Sequence, residues 1–419
     1  MKCFRRAVVA GLVFVIAAGS AGAHNLFQSW DHDTNAALLA SSQRQYIDLG
    51  LLHTDLTVDN SSLDYREVFQ EEWRLSFNDI VDELDGNDLL FNANVNLGNY
   101  ATIQAFRLTP GAFVHVSHLS QFRLPNDLFE ILAEGVPDDG DSISREGDAS
   151  VRLRSVAEAG VHATYRAWDH IFGAKAAAYL PVLYSDDLGL TYDFYMGREA
   201  NEDGNIIDLH GELSGRVLTA VNFEDPSDFD LGLKIDVGAM KQDDRGRAMY
   251  GLGVNNIPLV PAEARYQVAA DAELSVTSEG GLQALIDGED AIDTQFPDAD
   301  DALSTEPLEE PEALYPETSV SGFYRVDIPY IDVIPHAEFV FGDYSRLNGG
   351  VVVQPDILIL RNLSVGIARE DFSWQTTAAL RLPLRLVEFH AAVGATAPRF
   401  SDMFNGRGIT ASTGLSIGW

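Results

Sequence analysis

The chain is expected to be all-β: a transmembrane antiparallel β-barrel of about fourteen strands, with an N-terminal, partly helical hatch. Three observations predict it. The chain's last eleven residues alternate without a break, with Ile409, Ala411, Thr413, Leu415, Ile417 and Trp419 on one side and Thr410, Ser412, Gly414, Ser416 and Gly418 on the other. A strand sends successive side chains to opposite faces, so this segment has one greasy face and one small, wet face. Leu415, Ile417 and Trp419 are therefore assigned to the membrane-facing side of a closing strand, with the tryptophan at the interface. The second observation is that the same period recurs over long segments. The third is that no apolar run of transmembrane-helix length follows the first two dozen residues, and only closed barrels otherwise satisfy their backbone in lipid.

The N-terminus reads as a cleaved secretory signal over residues 1–23. Lys2, Arg5 and Arg6 form a basic start, Ala7 to Ala18 is apolar, and Ala21-Gly22-Ala23 fits a small-residue cleavage site. Cleavage there predicts a mature start at His24 and export to the cell outer membrane. Cys3, the single cysteine, precedes the apolar core and leaves with the signal, so no disulfide is expected. Loss of the three basic residues takes the net charge from −36 to −39. Such a chain repels nucleic acid, which is excluded as a partner. Expected partners are outer-membrane lipid, the barrel assembly machinery and hydrophobic small molecules.

Residues 24–90 are read as the hatch, a first strand and a helical segment. Asp31 to Ser41 suggests a short helix, and Tyr65 to Leu84 carries Val68, Phe69, Trp73, Leu75, Phe77, Ile80, Val81 and Leu84 in a helical mixture. Residues 91–419 form the main part of the barrel. Phe91, Ala93, Val95 and Leu97 alternate with asparagines, and Val161, Ala163, Tyr165 and Ala167 with His162, Thr164 and Arg166. Leu213 to Val221, Leu231 to Ala239 and Phe372 to Leu382 repeat the pattern, each expected as one strand. A soluble sandwich alternates in the same way with its apolar face inward. Strand length, the small and polar second faces, and short turns such as Arg166 to His170 alternating with long polar connections favour the barrel. Pro125 to Leu132 reads as a short helix. Residues 287–317 hold no Lys or Arg and several prolines, and are expected to be an irregular acidic loop.

Chemical motifs are few. Gly414-Leu415-Ser416-Ile417-Gly418 matches a serine-hydrolase pattern but lies in a strand with no helix to follow. Glu199 to Gly204 resembles the start of a calcium loop, but His210 stands where the bidentate glutamate belongs. The ten histidines show no metal-ligand spacing, and His115 and His118 fall on opposite faces of one strand. No catalytic residue, metal or cofactor is assigned, and no enzyme is expected. Trp168 and Trp419 suit an interfacial girdle.

The order of segments is similar to the outer-membrane barrels of the long-chain fatty acid transporter superfamily, particularly uncharacterised members of spirochaete and Bacteroidetes type. The resemblance rests on Asn35-Ala36-Ala37-Leu38 near the mature start, then a strand and a helical stretch. Strands Phe91 to Leu108 and Ala112 to Phe122 follow, then Leu124 to Gly135, and a strand from Ser155 through Ala167-Trp168 into Gly173-Ala174-Lys175. It implies a fourteen-stranded barrel plugged by its N-terminal residues, with Asn35, Ala36 and Ala37 in place of the family's Asn-Pro-Ala hatch element. Plug and wall then form an apolar path. Phe69, Trp73, Phe77, Phe113 and Phe129 are the candidate ligand-binding residues, and Arg107, with Arg66 and Arg74, the candidate for a carboxylate. The expected function is a channel or transporter for hydrophobic small molecules such as fatty acids. The alternative is a plugged structural or secretion-associated barrel that binds partner proteins through its loops.

Overall fold

The computed structural model describes residues 35–40, 46–62, 77–84, 86–134, 142–197, 207–223, 227–269, 272–278, 305–342, 345–357, 362–370, 373–384 and 386–419, with single residues 199, 225 and 360. Fourteen antiparallel strands close into a barrel. In ring order they are β1 (Ile47–Asn60), β2 (Leu89–Ile103), β3 (Leu108–Leu124), β4 (Ser142–Ala167), β5 (His170–Gly197), β8 (Gly232–Gln242), β9 (Ala248–Val260), β13 (Ser319–Tyr324), β15 (Ile331–Val340), β16 (Arg346–Pro355), β17 (Leu363–Glu370), β18 (Ser373–Pro383), β19 (Val387–Ala397) and β20 (Gly408–Gly418). Closure is made by β20 against β1, with Leu56 opposite Ala411 and Asp48 opposite Gly418. No free edge is left around the ring, and this is how a sheet satisfies its backbone in hydrocarbon.

Six further strands extend the wall, β14 (Val326–Ile328) at the short-turn end and five at the opposite end: β6 (Ile207–Ser214), β7 (Arg216–Thr219), β10 (Ala262–Ala269), β11 (Ala272–Ser278) and β12 (Thr305–Leu314). β5 has 28 residues, a run of ~90 Å at 3.3 Å per residue, far more than a lipid core needs. Its lower half pairs with β8 and its upper half with β6 and β7. Two expectations are corrected here. Leu213 to Val221 is not one strand. It breaks at Gly215, whose φ of 144° is a conformation open to glycine, and the chain leaves the ladder after Thr219. The acidic stretch is not wholly irregular either. Its residues Thr305–Leu314 form β12, which pairs with β10. The pairing skips from Glu312 to Pro307 across a bulge, and such a bulge at a sheet margin tolerates proline.

The alternation decides which face meets lipid. On β20, Thr410, Ser412 and Ser416 are buried in the lumen, whereas Ile409 and Trp419 are about half exposed and point outward. On β8, Leu233 and Val237 point out, and Lys234 and Asp236 are buried within. Val114, Val116, Val161, Phe172, Leu252, Val365 and Val393 continue the outward apolar band around the ring. A soluble sandwich would bury these side chains between sheets. His115 lies on the inward face of β3, opposite Gly98, and His118 on the other face, where its Nδ1 is 2.5 Å from Ser155 Oγ.

One end carries the short turns. Trp168-Asp169 joins β4 to β5, Asp243 to Arg247 joins β8 to β9, and Pro329-Tyr330 joins β14 to β15. Phe106 in the β2–β3 turn, Trp168 in the β4–β5 turn and Tyr330 in the β14–β15 turn hold positive φ angles with exposed rings. Just above, His170 meets Tyr250 edge to face and Tyr250 stacks on Tyr324, an aromatic girdle along the outer wall. The opposite end carries long connections, including α1 (Phe77–Leu84) and α2 (Asn126–Glu134), which pack together through Ile80, Leu84, Leu89 and Phe129. The helix expected at Pro125 to Leu132 is α2. The third expected helix is a single 3-10 turn, Ala36–Ala40.

The Asp243 turn is tied by charge. Arg247 contacts Asp243 at 2.7 Å, Asp332 at 2.9 Å and Asp327 at 3.3 Å. Burial opposes ionisation of Asp243, but hydrogen bonds from the Arg247 side chain and backbone, and its charge, outweigh burial and lower the carboxyl pKa. A depressed carboxyl contributes stability above its unfolded value, and that contribution is lost as pH falls through the folded value. In detergent, thermal unfolding of the wild type should therefore lose more stability between about pH 7 and about pH 3 than Asp243→Asn does. The lipid-facing assignment has its own test. Val393→Arg, at the middle of β19, should cost about 2–4 kcal/mol in urea unfolding from lipid vesicles, whereas a sandwich core at this position would fail to fold at all.

Candidate functional site

The lumen begins at a hatch built on missing side chains. Gly173, Gly238 and Gly251 lie on β5, β8 and β9, and a Cβ on any of them would collide with Asn35, Ala36 or Ala37 at under 3 Å. Three neighbouring strands thus offer bare backbone, and the hatch lies directly on it. Asn35 uses its whole amide. Nδ2 donates to the carbonyls of Leu252 at 3.1 Å and Ala239 at 3.3 Å, and Oδ1 accepts from the Ala37 N–H at 2.9 Å. The second of these interactions starts the 3-10 turn and the first fixes it to the wall. Ala36, Ala37 and Leu38 are fully buried, and Leu38 packs with Ile171, Met240, Phe323, Ile334 and Val352.

Above the hatch stands a network of inward-facing charges. Lys175 on β5 pairs with Asp236, its direct neighbour on β8, at 2.9 Å, both nearly fully buried. Lys234 pairs with Glu158 of β4 and also reaches Asn256 Oδ1 at 2.6 Å. Asn256, whose φ is 57°, donates its backbone N–H to Asp236 Oδ1 at 2.6 Å. Its side-chain amide donates to the Glu317 carbonyl at 3.0 Å, and Thr318 Oγ1 donates to the Asn256 carbonyl at 3.0 Å. Buried charges persist only where paired in this way.

The network borders a cavity of about 330 Å³ that runs up from Asn35. Its wall mixes Leu119, Val156, Tyr179, Leu314 and Tyr315 with Asn94, Asn96, Ser319 and Ser321. Tyr179 lies across Gly232 and closes the wall where β9 gives way to β10. Its phenol accepts from the Ala262 N–H at 3.1 Å and donates to the Leu314 carbonyl at 2.9 Å. A second cavity of about 670 Å³ lies beyond, and Arg154, Tyr184, Leu314, Tyr315, Pro316 and Glu317 line both. At that junction Glu317 contacts Arg154 at 2.8 Å and Arg346 at 2.9 Å.

Of the sequence-expected greasy pocket, the two phenylalanines with described side chains lie apart. Phe113 is buried near the short-turn end against Tyr100 and Ala177, with Lys175 Nζ 4.8 Å from its ring centroid. Phe129 sits past the far end of the same hairpin, on α2, in the α1–α2 contact. About eleven residues of strand, roughly 35 Å, separate the two levels, and neither phenylalanine lines the cavity. Arg107 is exposed in the β2–β3 turn, where its carbonyl accepts from the Arg166 N–H, so it does not face the lumen. Phe69, Trp73, Arg66 and Arg74 lie outside the described residues. Phe77 opens α1, and its side chain also lies outside them. Asn35, Ala36 and Ala37 form the hatch contact, and Leu415, Ile417 and Trp419 face outward. Arg154, Glu317 and Arg346 were missed. For Arg154 and Arg346, inward-pointing charge on a strand was the available signal; Glu317, in the connection between β12 and β13, carried none. Among the described residues no group of His, Cys, Asp and Glu is placed to hold a metal ion.

No family model and no curated protein matches the chain. Solved structures with a similar course of chain include a deltaS2S3 mutant of the TodX monoaromatic hydrocarbon channel, at TM-score 0.46 and 9% identity over 96% of both chains. They include the Pseudomonas putida toluene transporter TodX, at 0.41 and 9% over 96% of both. The transport unit of the autotransporter AIDA-I from Escherichia coli gives 0.27 and 8%, over 91% of this chain and 92% of that one.

The hatch contact predicts that Asn35→Ala weakens docking by about 1–2 kcal/mol and that Gly238→Val unseats it altogether. In both variants hydrogen exchange at the Ala37 and Leu38 amides should accelerate, more so in Gly238→Val. Heat-modifiable gel mobility should still report a closed barrel.

Proposed function

We propose that the chain is an outer-membrane channel that admits small molecules with an apolar body. The carrying observation is the lumen cavity itself. It is enclosed by a closed wall with an apolar outer band, floored by a hatch and sized for a small molecule. Its aliphatic and tyrosine surfaces accommodate a hydrocarbon skeleton, and its asparagine and serine side chains meet a polar substituent. An open general porin has no such floor.

The hatch is the element that sets the rate in this reading. Asn35 to Leu38 close the short-turn end, and a solute that reaches them passes only when they move. They are held to the wall by the Asn35 hydrogen bonds to the Leu252 and Ala239 carbonyls and by the packing of Leu38.

The test is uptake into liposomes holding the purified full-length protein, with toluene as solute and protein-free vesicles as reference. Ser321→Trp places a large ring in the cavity from an inward position. It should reduce uptake by about an order of magnitude while the barrel stays folded. Equal uptake by protein-free and wild-type vesicles overturns the reading.

A further inference from the structure

The apolar seat of the hatch rests on a second, ionic layer. Arg325 follows Phe323 by two residues at the end of β13, Asp332 precedes Ile334 by two on β15, and Gln354 follows Val352 by two on β16. Residues two apart on a strand share a face. Phe323, Ile334 and Val352 pack with Leu38 of the hatch. One step nearer the short turns, Arg325, Asp332 and Gln354 meet in the same way. Arg325 Nη1 lies 2.6 Å from Asp332 Oδ2 and 3.4 Å from Gln354 Oε1. The Arg325 and Asp332 side chains are almost wholly buried, at 4% and 5% exposure.

Arg325 also fastens an irregularity in the neighbouring strand. β9 carries one extra residue against β8 at Met249, since Lys241 faces Tyr250 and Gln242 faces Ala248. A bulge of this kind reverses the alternation and re-aims a side chain. Tyr250 joins the outer girdle, whereas Ala248, two residues earlier, is buried in the Leu38 cluster. Arg325 takes both carbonyls at the bulge. Its backbone N–H donates to Met249 at 2.6 Å and its Nε–H to Ala248 at 2.9 Å. Gly251, on which Asn35 lies, stands two residues beyond Met249. The ionic layer continues outward. Asp332 Oδ2 takes a second guanidinium, Arg247 Nη1 at 2.9 Å, and Arg247 reaches Asp356 at 3.6 Å. Asp356 in turn meets the exposed Arg245 at 3.2 Å. Ion pairs therefore run without a break from solvent at the short turns to the seat of the hatch.

We propose that Arg325 is the positioning residue of the hatch, and that the Arg325–Asp332–Arg247 layer is a latch that keeps the hatch seated. This rests on the reading in which the hatch limits passage, and names how that step is controlled. Arg325 touches neither the hatch nor a solute. It acts through Ala248 and Phe323, which form the seat. A guanidinium holds its donors in a fixed planar fork, so one group ties a carboxylate and a bulge carbonyl at a set angle. Loss of one partner from a buried pair leaves the other charge uncompensated, so the layer favours its complete arrangement. The seat under Leu38 is shaped while the layer is whole and loosens when the layer opens. Displacement of the β8–β9 or β14–β15 turn reaches the seat through Arg247.

The experiment follows hydrogen exchange of the full-length protein in lipid vesicles at the Ala37 and Leu38 amides, which donate to Asn35 Oδ1 and the Asn35 carbonyl. Arg325→Gln should accelerate both by about tenfold while heat-modifiable gel mobility still shows a closed barrel. Toluene uptake by the same vesicles should rise with it, because opening of the hatch limits the rate. Arg325→Lys keeps a charge opposite Asp332 but lacks the fork. It should accelerate the two amides less, and it carries the test if Arg325→Gln does not fold. Arg381→Gln breaks a comparable pair, with Glu388 at 2.8 Å, between β18 and β19, which give no residue to the Leu38 cluster. It should leave the hatch amides unmoved. Exchange unmoved by both Arg325 variants, or accelerated equally by Arg381→Gln, overturns the latch. Uptake that stays constant while hatch exchange accelerates overturns it as well. Absence of toluene uptake in the wild type, with the exchange pattern intact, overturns the channel reading and leaves the latch standing.

Discussion

The lumen of this barrel is organised by one constraint: charges that point inward from the wall must find partners. Lys234 and Asp236 are two residues apart on β8, so both face inward, and each takes its partners from other strands. Lys234 crosses to Glu158 and Asn256, and Asp236 to Lys175 and the Asn256 backbone. Four wall strands are thereby held in one register. A one-residue slip would send these charges into lipid. Asn256, in a left-handed conformation that asparagine tolerates better than most residues, is the knot that carries this order on to Glu317.

Below this network the lumen is ruled by absent atoms. The inward faces of β5, β8 and β9 present glycines at one level, and the hatch uses the space they leave. Above it, the lumen is ruled by paired charge. The two levels are linked by aromatic spacers, with Phe113 under Lys175 and Tyr179 across Gly232. Apolar floor, charged middle and the Arg154–Glu317–Arg346 group follow one another along the lumen. This ordering gives a small amphipathic molecule different surroundings at each depth.

Much of the fold was legible in the sequence because a strand's two-residue period needs no partner to be seen. Ile409 to Trp419, Leu231 to Ala239 and Val161 to Ala167 take the faces that their alternation assigns. The Trp168 turn was legible because it is short and lies between two such runs. Asn35-Ala36-Ala37 was located through its family resemblance, but its seat was not, since Gly173, Gly238 and Gly251 are spread over three strands. Grouping Phe113 with Phe129 went astray because apolar composition does not say at which depth of a barrel a ring will sit. Arg154, Glu317 and Arg346 were hidden for the same reason: they are far apart in sequence, and only the register of closure brings them together. Pro307 and Pro311 argued against a strand that survives because its pairing can bulge.

The glycine seat of the hatch also bears on how the molecule comes together. Residue 35 precedes every wall strand, yet the surface it rests on is shared by β5, β8 and β9 and does not exist until those strands are zipped side by side. The earliest described part of the polypeptide is thus the last to find its place. Its arrival certifies that the ring around it was built in the correct alignment, much as a keystone fits only a finished arch.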